Sequence, residues 1–190
     1  MDIAIPLFEG ITALDAIGPY EVLSRLPGAR VRFVAVTAGP YRTDNRQLTL
    51  MADEPLSAVP HPEVVMVPGG FGTRALLKDD ATLAWIRQTA HRASQVTSVC
   101  TGALLLAEVG ALRGRRATTH WAALDLLASI DATISVQRDV RVVWDTVVTS
   151  AGVSAGIDMA FSVVEKLHGP EVARETAHYI EYVPQHQNAV

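Results

Sequence analysis

The sequence has one cysteine, few aromatic residues, no long apolar run and no basic cluster. A single cysteine excludes an internal disulfide and fits a reducing cytoplasm. No apolar stretch approaches the roughly 20 residues that a membrane-spanning helix needs. The opening Met1-Asp2 carries no positive segment, and its apolar stretch ends by Phe8, so neither a signal peptide nor a membrane partner is expected. The formal net charge of −4 argues against a nucleic-acid surface, and Arg113-Gly114-Arg115-Arg116 is too short to reverse that. His61, His91, His168, His178 and His186 stand at no metal-ligand spacing with acids or with the cysteine, so no metal is expected. Repeats and low-complexity segments are also missing.

What remains is a chain of 190 residues, nearly half of them apolar and rich in Ala, Val and Leu. That composition suits one domain, residues 1–190, built on a parallel sheet covered by helices. Strand and helix patterns alternate. Strands are predicted at 3–8, 30–36, 64–67, 96–99, 133–136, 140–144 and 147–150, with a further short one at 117–118. Helices are predicted at 15–26, 80–93, 102–108, 121–127, 154–167 and 170–182. Residues 37–62 read as loop, with a short hairpin around Leu48 to Met51. The fold class is therefore α/β with a mainly parallel central sheet, whose sites lie beyond the carboxyl ends of the strands. By that rule the loops leading to Asp15, Gly69-Gly70 and Cys100 open on one edge.

Cys100 falls on the turn between the β-branched run Val96 to Val99 and the helix formers after Gly102. Ser98-Val99-Cys100-Thr101-Gly102 is a near copy of the nucleophile elbow Gly-x-Ser-x-Gly, which holds its reactive residue exposed on a sharp turn. A helix N-terminus facing the sulfur favours thiolate, and the expectation is a pKa below the free value of about 8.5. The alternative is a small buried hydrophobe.

Asp15 lies on a largely apolar surface between Leu14 and Ala16-Ile17. It is either a helix N-cap or a buried carboxyl whose raised pKa suits proton transfer near neutral pH. Gly69 and Gly70, followed by Phe71, end a strand with backbone amides that can approach a ligand. With the amide of Thr101 they offer an oxyanion hole, although an ordinary turn needs the same glycines. Gly70-Phe71-Gly72-Thr73-Arg74-Ala75 also matches the dinucleotide fingerprint G-x-G-x-x-A. The next strand ends in Val99-Cys100 where an acid for the ribose is required, so a nucleotide cofactor is not expected. His120 either approaches the cysteine as the chain folds back or opens a helix capped by Thr119. The small residues from Val148 to Asp158 either wall the cysteine pocket or permit close strand–helix packing.

Several of these segments together resemble the ThiJ/PfpI superfamily. They are Leu14-Asp15-x-x-Gly18-Pro19-Tyr20-Glu21-Val22, Val67-Pro68-Gly69-Gly70, Thr97-Ser98-Val99-Cys100-Thr101-Gly102, Gly114-Arg115-Arg116-Ala117-Thr118-Thr119-His120-Trp121 and Ala155-Gly156-Ile157-Asp158. The resemblance spans Ile3 to about Tyr182 and is strongest to the isocyanide hydratase branch, with likeness also to the effector domains of AraC-type regulators. It implies a three-layer sandwich, flavodoxin-like and similar to class I glutamine amidotransferase domains. PfpI-type proteases place His directly after the nucleophile, where this chain has Thr101. Deglycase-like members pair the cysteine with Glu, where this chain has Asp15. The regulators add a helix-turn-helix domain after the region that ends here at Val190, which favours the hydratase.

The resemblance further implies a small-molecule substrate, attack by Cys100 on an isocyanide carbon, proton transfer by Asp15, and a Thr101 hydroxyl that keeps the two in register. The Gly70 and Thr101 amides would steady developing charge, and Val153 would line the pocket. It implies no cofactor and a homodimer. The alternatives are a cysteine-based redox or small-molecule sensor without turnover, and a stress-protective protein.

Overall fold

The structure is a computed structural model that describes residues 1–185; His186 lies outside them. In chain order the elements are β1 (Asp2–Pro6), α1 (Ala13–Leu23), β2 (Arg30–Ala35), β3 (Gly39–Arg42), β4 (Thr49–Ala52), β5 (Glu54–Pro55), β6 (Val64–Val67), α2 (Thr73–Leu76), α3 (Asp80–Arg92) and β7 (Gln95–Val99). They continue as α4 (Gly102–Glu108), β8 (Arg116–Ala117), α5 (Leu124–Ile130), β9 (Ser135–Val136), β10 (Val142–Trp144), β11 (Val147–Ser150), α6 (Ala155–His168) and α7 (Pro170–Tyr179).

Seven strands form the central sheet in the order β10-β11-β7-β6-β1-β2-β5. All neighbours run parallel except β10, which pairs antiparallel with β11 at the edge. Strands buried on both faces need apolar residues at every position, which is why Val64-Val65-Met66-Val67 is a continuous run. Alternation divides the core. Ile3, Ile5, Met66 and Val99 face α1, α6 and α7, while Ala4, Val65, Val67 and Val96 face α3, α4 and α5. The chain steps from β1 to β2 in one direction and to β6 in the other, so the switch point lies between β1 and β6, at the edge where α/β folds place ligands.

The structure departs from the sequence pattern in several places. The α1 helix starts two residues early, because Thr12 is already extended and takes the N-cap position. The hairpin is β3 paired with β4, Tyr41 opposite Leu50, and β5 adds an unexpected edge strand to the main sheet. α2 is an additional helix of one turn. β8 and β9 leave the main sheet and pair with each other, and Trp121–Ala123 is a 3-10 turn leading into α5. These segments are short, so tertiary contacts override local pattern.

Candidate active site

Three loops at the carboxyl edge of the sheet interlock through backbone contacts. Thr12 N–H donates to Gly69 O at 3.0 Å, and Gly72 N–H donates to Gly10 O at 3.0 Å. The spacing leaves no room for side chains. A Cβ on Gly72 would lie 1.9 Å from Glu9 O, one on Gly70 2.4 Å from Gly10 O, and one on Gly102 2.1 Å from Val67 O. The glycines of the apparent dinucleotide fingerprint are thus needed for packing against the β1–α1 loop.

Cys100 sits between β7 and α4 with φ +54°, an uncommon conformation for a residue other than glycine. Its N–H donates to Ser150 O (3.1 Å) and Ala151 O (3.3 Å), and its carbonyl accepts from Thr119 Oγ1 (2.7 Å). The strand-to-helix elbow is present, yet the exposed, low-pKa thiol expected from it is not. Cys100 is buried, and burial together with the nearby Asp15 charge pushes its thiol up to about 12. The Thr101 N–H and hydroxyl favour thiolate, but burial outweighs them.

Asp15 is completely buried, and Oδ2 accepts the Gly69 N–H at 3.0 Å. It does not act as the helix cap, since it lies inside α1 and Thr12 holds the N-cap position. The Thr12 hydroxyl itself turns away from the helix to donate to Asp44 Oδ2 at 2.6 Å. Burial raises the Asp15 carboxyl to about 7, against the lowering effects of the Cys100 and Gly69 contacts and with a small contribution from Asp44. Carboxyl and thiol are close enough to bias each other's protonation, while Asp15 Oδ1 has no hydrogen-bond partner among the described residues. Near neutral pH the thiol therefore keeps its proton, while the carboxyl is poised between its protonated and ionised forms.

Thr101 Oγ1 accepts from Gly70 N–H at 2.9 Å and lies 3.0 Å from Gly70 O. This commits the Gly70 amide, expected to face developing charge, to the hydroxyl of Thr101. The Gly69 amide is likewise committed, to Asp15, and only the Thr101 amide faces the sulfur. Phe71 projects to solvent, 74% exposed, with the Arg74 guanidinium 4.9 Å from its ring centroid.

His120 caps its own 3-10 turn, its Nδ1 accepting from Ala122 N–H at 3.2 Å. Thr119 does not cap it; that hydroxyl is spent on the Cys100 carbonyl. The imidazole covers Gly152, where a Cβ would come within 2.3 Å of the ring, and burial holds its pKa below the usual value. Val153 adopts φ +50°, strained for a β-branched residue.

Sequence reasoning missed what holds that loop. The Arg141 carbonyl accepts Ala151 N–H at 2.8 Å, and its guanidinium reaches Ser154 Oγ at 3.3 Å and the buried Asp158 carboxylate. Asp158 also accepts from the Tyr182 hydroxyl at 3.0 Å. The only signal was Asp158 within the small-residue segment. Gly156 there packs against Val99, where a Cβ would meet the valine at 2.8 Å, so close strand–helix packing explains that glycine.

Comparison with known proteins agrees with this architecture. The model of the DJ-1/PfpI family matches residues 1–166. Isonitrile hydratase of Pseudomonas putida is 40% identical over 185 residues, covering 97% of this chain and 79% of the relative. The HTH-type transcriptional regulator CdhR of Pseudomonas aeruginosa is 28% identical over 171 residues, 89% of this chain and only 50% of the regulator. The crystal structure of a ThiJ/PfpI family protein from Pseudomonas syringae superimposes with a TM-score of 0.90 at 34% identity, covering 99% of this chain and 78% of that one. Drosophila melanogaster DJ-1beta shares the fold at a TM-score of 0.86 and 22% identity, with 96% and 98% covered.

Proposed function

The chain belongs to the DJ-1/PfpI family, and within it we propose a cysteine-dependent hydratase that converts an isocyanide, R–N≡C, into an N-substituted formamide. The observation that carries this reading is the buried Cys100–Asp15 pair. It joins a protonated thiol to a carboxyl with a pKa of about 7. Addition to a terminal isocyanide carbon requires a nucleophile and a proton at the same atom, and this pair supplies both.

In the proposed first step the bond from Cys100 Sγ to the isocyanide carbon does not form from free thiolate. As sulfur bonds to the isocyanide carbon, the thiol proton passes to the Asp15 carboxylate, which then delivers it to that carbon. The product is R–N=CH–S on Cys100. Water adds across the C=N bond, losing one proton to Asp15, which returns it to nitrogen. The resulting R–NH–CH(OH)–S intermediate collapses, the C–S bond breaks, and the hydroxyl proton returns to sulfur as the formamide leaves. Atoms and charge balance without any cofactor. A general base works best with a pKa near the operating pH, which suits Asp15.

Thr101 is assigned to hold the loop of Gly69 and Gly70 against the pair, and its amide to favour charge on sulfur. Phe71 and Val153 are assigned to the substrate approach, with His120 supporting the loop at Gly152. The proposed assembly is a homodimer. Incubation with a simple isocyanide and detection of the formamide tests the activity; absence of product under conditions where the protein is folded overturns it.

A second reading, a small-molecule sensor without turnover, is favoured by the similarity to the regulator CdhR. The same incubation separates the two, because a sensor binds the isocyanide and leaves it intact. A sensor driven by thiol oxidation is less well supported by a buried thiol of raised pKa.

A further inference from the structure

A second cleft lies at the opposite end of the sheet, where Val96 and Val147 begin their strands. It encloses about 200 Å³ between α3, the turn after α4 and the start of β11. Its polar lining comes from Arg87, His91, Ser94, Arg113, Arg115 and Thr146, over a floor of alanine and valine. No aspartate or glutamate lines it. In a chain with a net charge of −4, three guanidiniums around one small concavity run against the overall balance.

The acids nearest these arginines lie outside the lining, and one of them pairs with Arg113 from beside the cleft. Asp131 Oδ2 accepts from Arg113 Nε at 3.4 Å, while its Oδ1 accepts from Thr133 N–H at 2.9 Å and Thr133 Oγ1 at 2.6 Å, so Arg113 keeps only its Nη donors for the cleft. Asp145 Oδ1 is 4.0 Å from Arg115 Nη1, too far for a hydrogen bond, and Asp145 accepts from Arg116 N–H at 3.1 Å and Thr146 N–H at 2.6 Å. Arg87 makes no ion pair among the described residues. Arg115 Nη1 is buried without a hydrogen-bond partner. Buried donors in native proteins are almost always satisfied, and a dry unpaired guanidinium N–H is costly.

We propose that this cleft binds a phosphate oxyanion, free or as the end of a small phosphate ester. Guanidinium forks match tetrahedral oxyanions through paired N–H donors, and Arg87, Arg113 and Arg115 present three of them. The volume admits one or two phosphate groups. The site is separate from the Cys100 loop, so its occupancy does not depend on hydratase activity.

Calorimetric titration with inorganic phosphate, and in parallel with glycerol phosphate, tests the proposal at fixed ionic strength with chloride as the control. The wild-type protein binds at least one of them saturably in the millimolar range or tighter, and the tighter of the two identifies the free or the esterified source. Arg87→Gln weakens that binding at least tenfold. Because Arg87 is exposed and unpaired, this variant keeps its fold and thermal midpoint. Arg115→Gln weakens binding at least as much. Heats no larger than those of chloride, or equal affinity in wild type and Arg87→Gln, overturn the proposal.

Discussion

The two ends of one sheet treat charge in opposite ways. At the carboxyl end, loops are drawn together until Asp15 and Cys100 lie out of water, and both hold their protons more tightly than usual. At the amino end, Asp131 and Asp145 stay near solvent, and hydrogen bonds from Thr133 and Thr146 hold their carboxyls below the usual range. The same carboxyl group thus acquires opposite protonation behaviour, from burial at one end and from hydrogen bonding at the other. The end that holds the proposed nucleophile is the one where packing is tight.

The strongest way to break this contrast is to remove the sulfur. Cys100→Ala is expected to lower hydratase turnover a thousandfold or more while circular dichroism stays unchanged, since only a small side chain is lost. Turnover retained by a folded variant rejects Cys100 as nucleophile.

Neutralising the carboxyl comes next. Asp15→Asn should reduce turnover about a hundredfold or more. The same variant should gain stability at neutral and alkaline pH. The sign follows from the raised folded-state pKa: below the unfolded value of 3.8 the carboxyl is protonated in both states, and as pH rises through about 7 the folded protein must ionise a buried group. That change removes roughly 4 kcal/mol of wild-type stability across the window. Melting temperatures at pH 4 and pH 8 should therefore diverge between variant and wild type. If the two proteins keep the same difference at both, Asp15 is not a raised buried acid. Asp15→Glu should keep the fold but lose much of the rate, because one more methylene pushes the carboxyl into the space of the sulfur.

A milder probe is the pH profile itself. With Asp15 receiving the thiol proton, kcat/KM should rise about tenfold per pH unit below pH 7 and level off above it, with the rise absent from Asp15→Asn. A profile that falls with increasing pH through 7 assigns the wrong protonation state.

Glycines sharpen the comparison without touching either functional group. Gly72 has Glu9 O at 1.9 Å from where a Cβ would stand, whereas Gly110 beside the arginine cleft has nothing within 4 Å and only φ +79° to satisfy. Gly72→Ala should cost about 3 kcal/mol as an overpacked site, and Gly110→Ala about 1 kcal/mol as a left-handed turn. Denaturant unfolding of both variants measures the difference; equal losses would mean that the two ends are equally packed.

The sequence made the elbow at Cys100 legible because a β-branched run changes abruptly to helix formers. The carboxyl-end rule then brought Asp15, Gly69 and Cys100 to one edge, where the structure has them. It could not show that the thiol is buried, since that depends on loops from Gly10 to Thr12 and Gly69 to Gly72 closing over it. Helix-dipole reasoning counted the favourable Thr101 amide and missed the larger loss of hydration. Arg141 was invisible for a related reason: its partners Ser154 and Asp158 come from the next helix, across a hairpin. The arginine cleft was hidden by distance along the chain, since Arg87 and His91 belong to α3 while Arg113 and Arg115 follow α4.

The solitary, enclosed Cys100 also makes the molecule its own stability gauge. In the unfolded chain the sulfur is an ordinary water-exposed thiol and reacts freely with an alkylating reagent, whereas in the folded chain the enclosing loops must first part. With reagent in excess and closing faster than labelling, the rate of mass gain reports the population of open molecules. Tracking that single adduct against denaturant would show whether the loops around Cys100 open alone or only as the whole sheet comes apart.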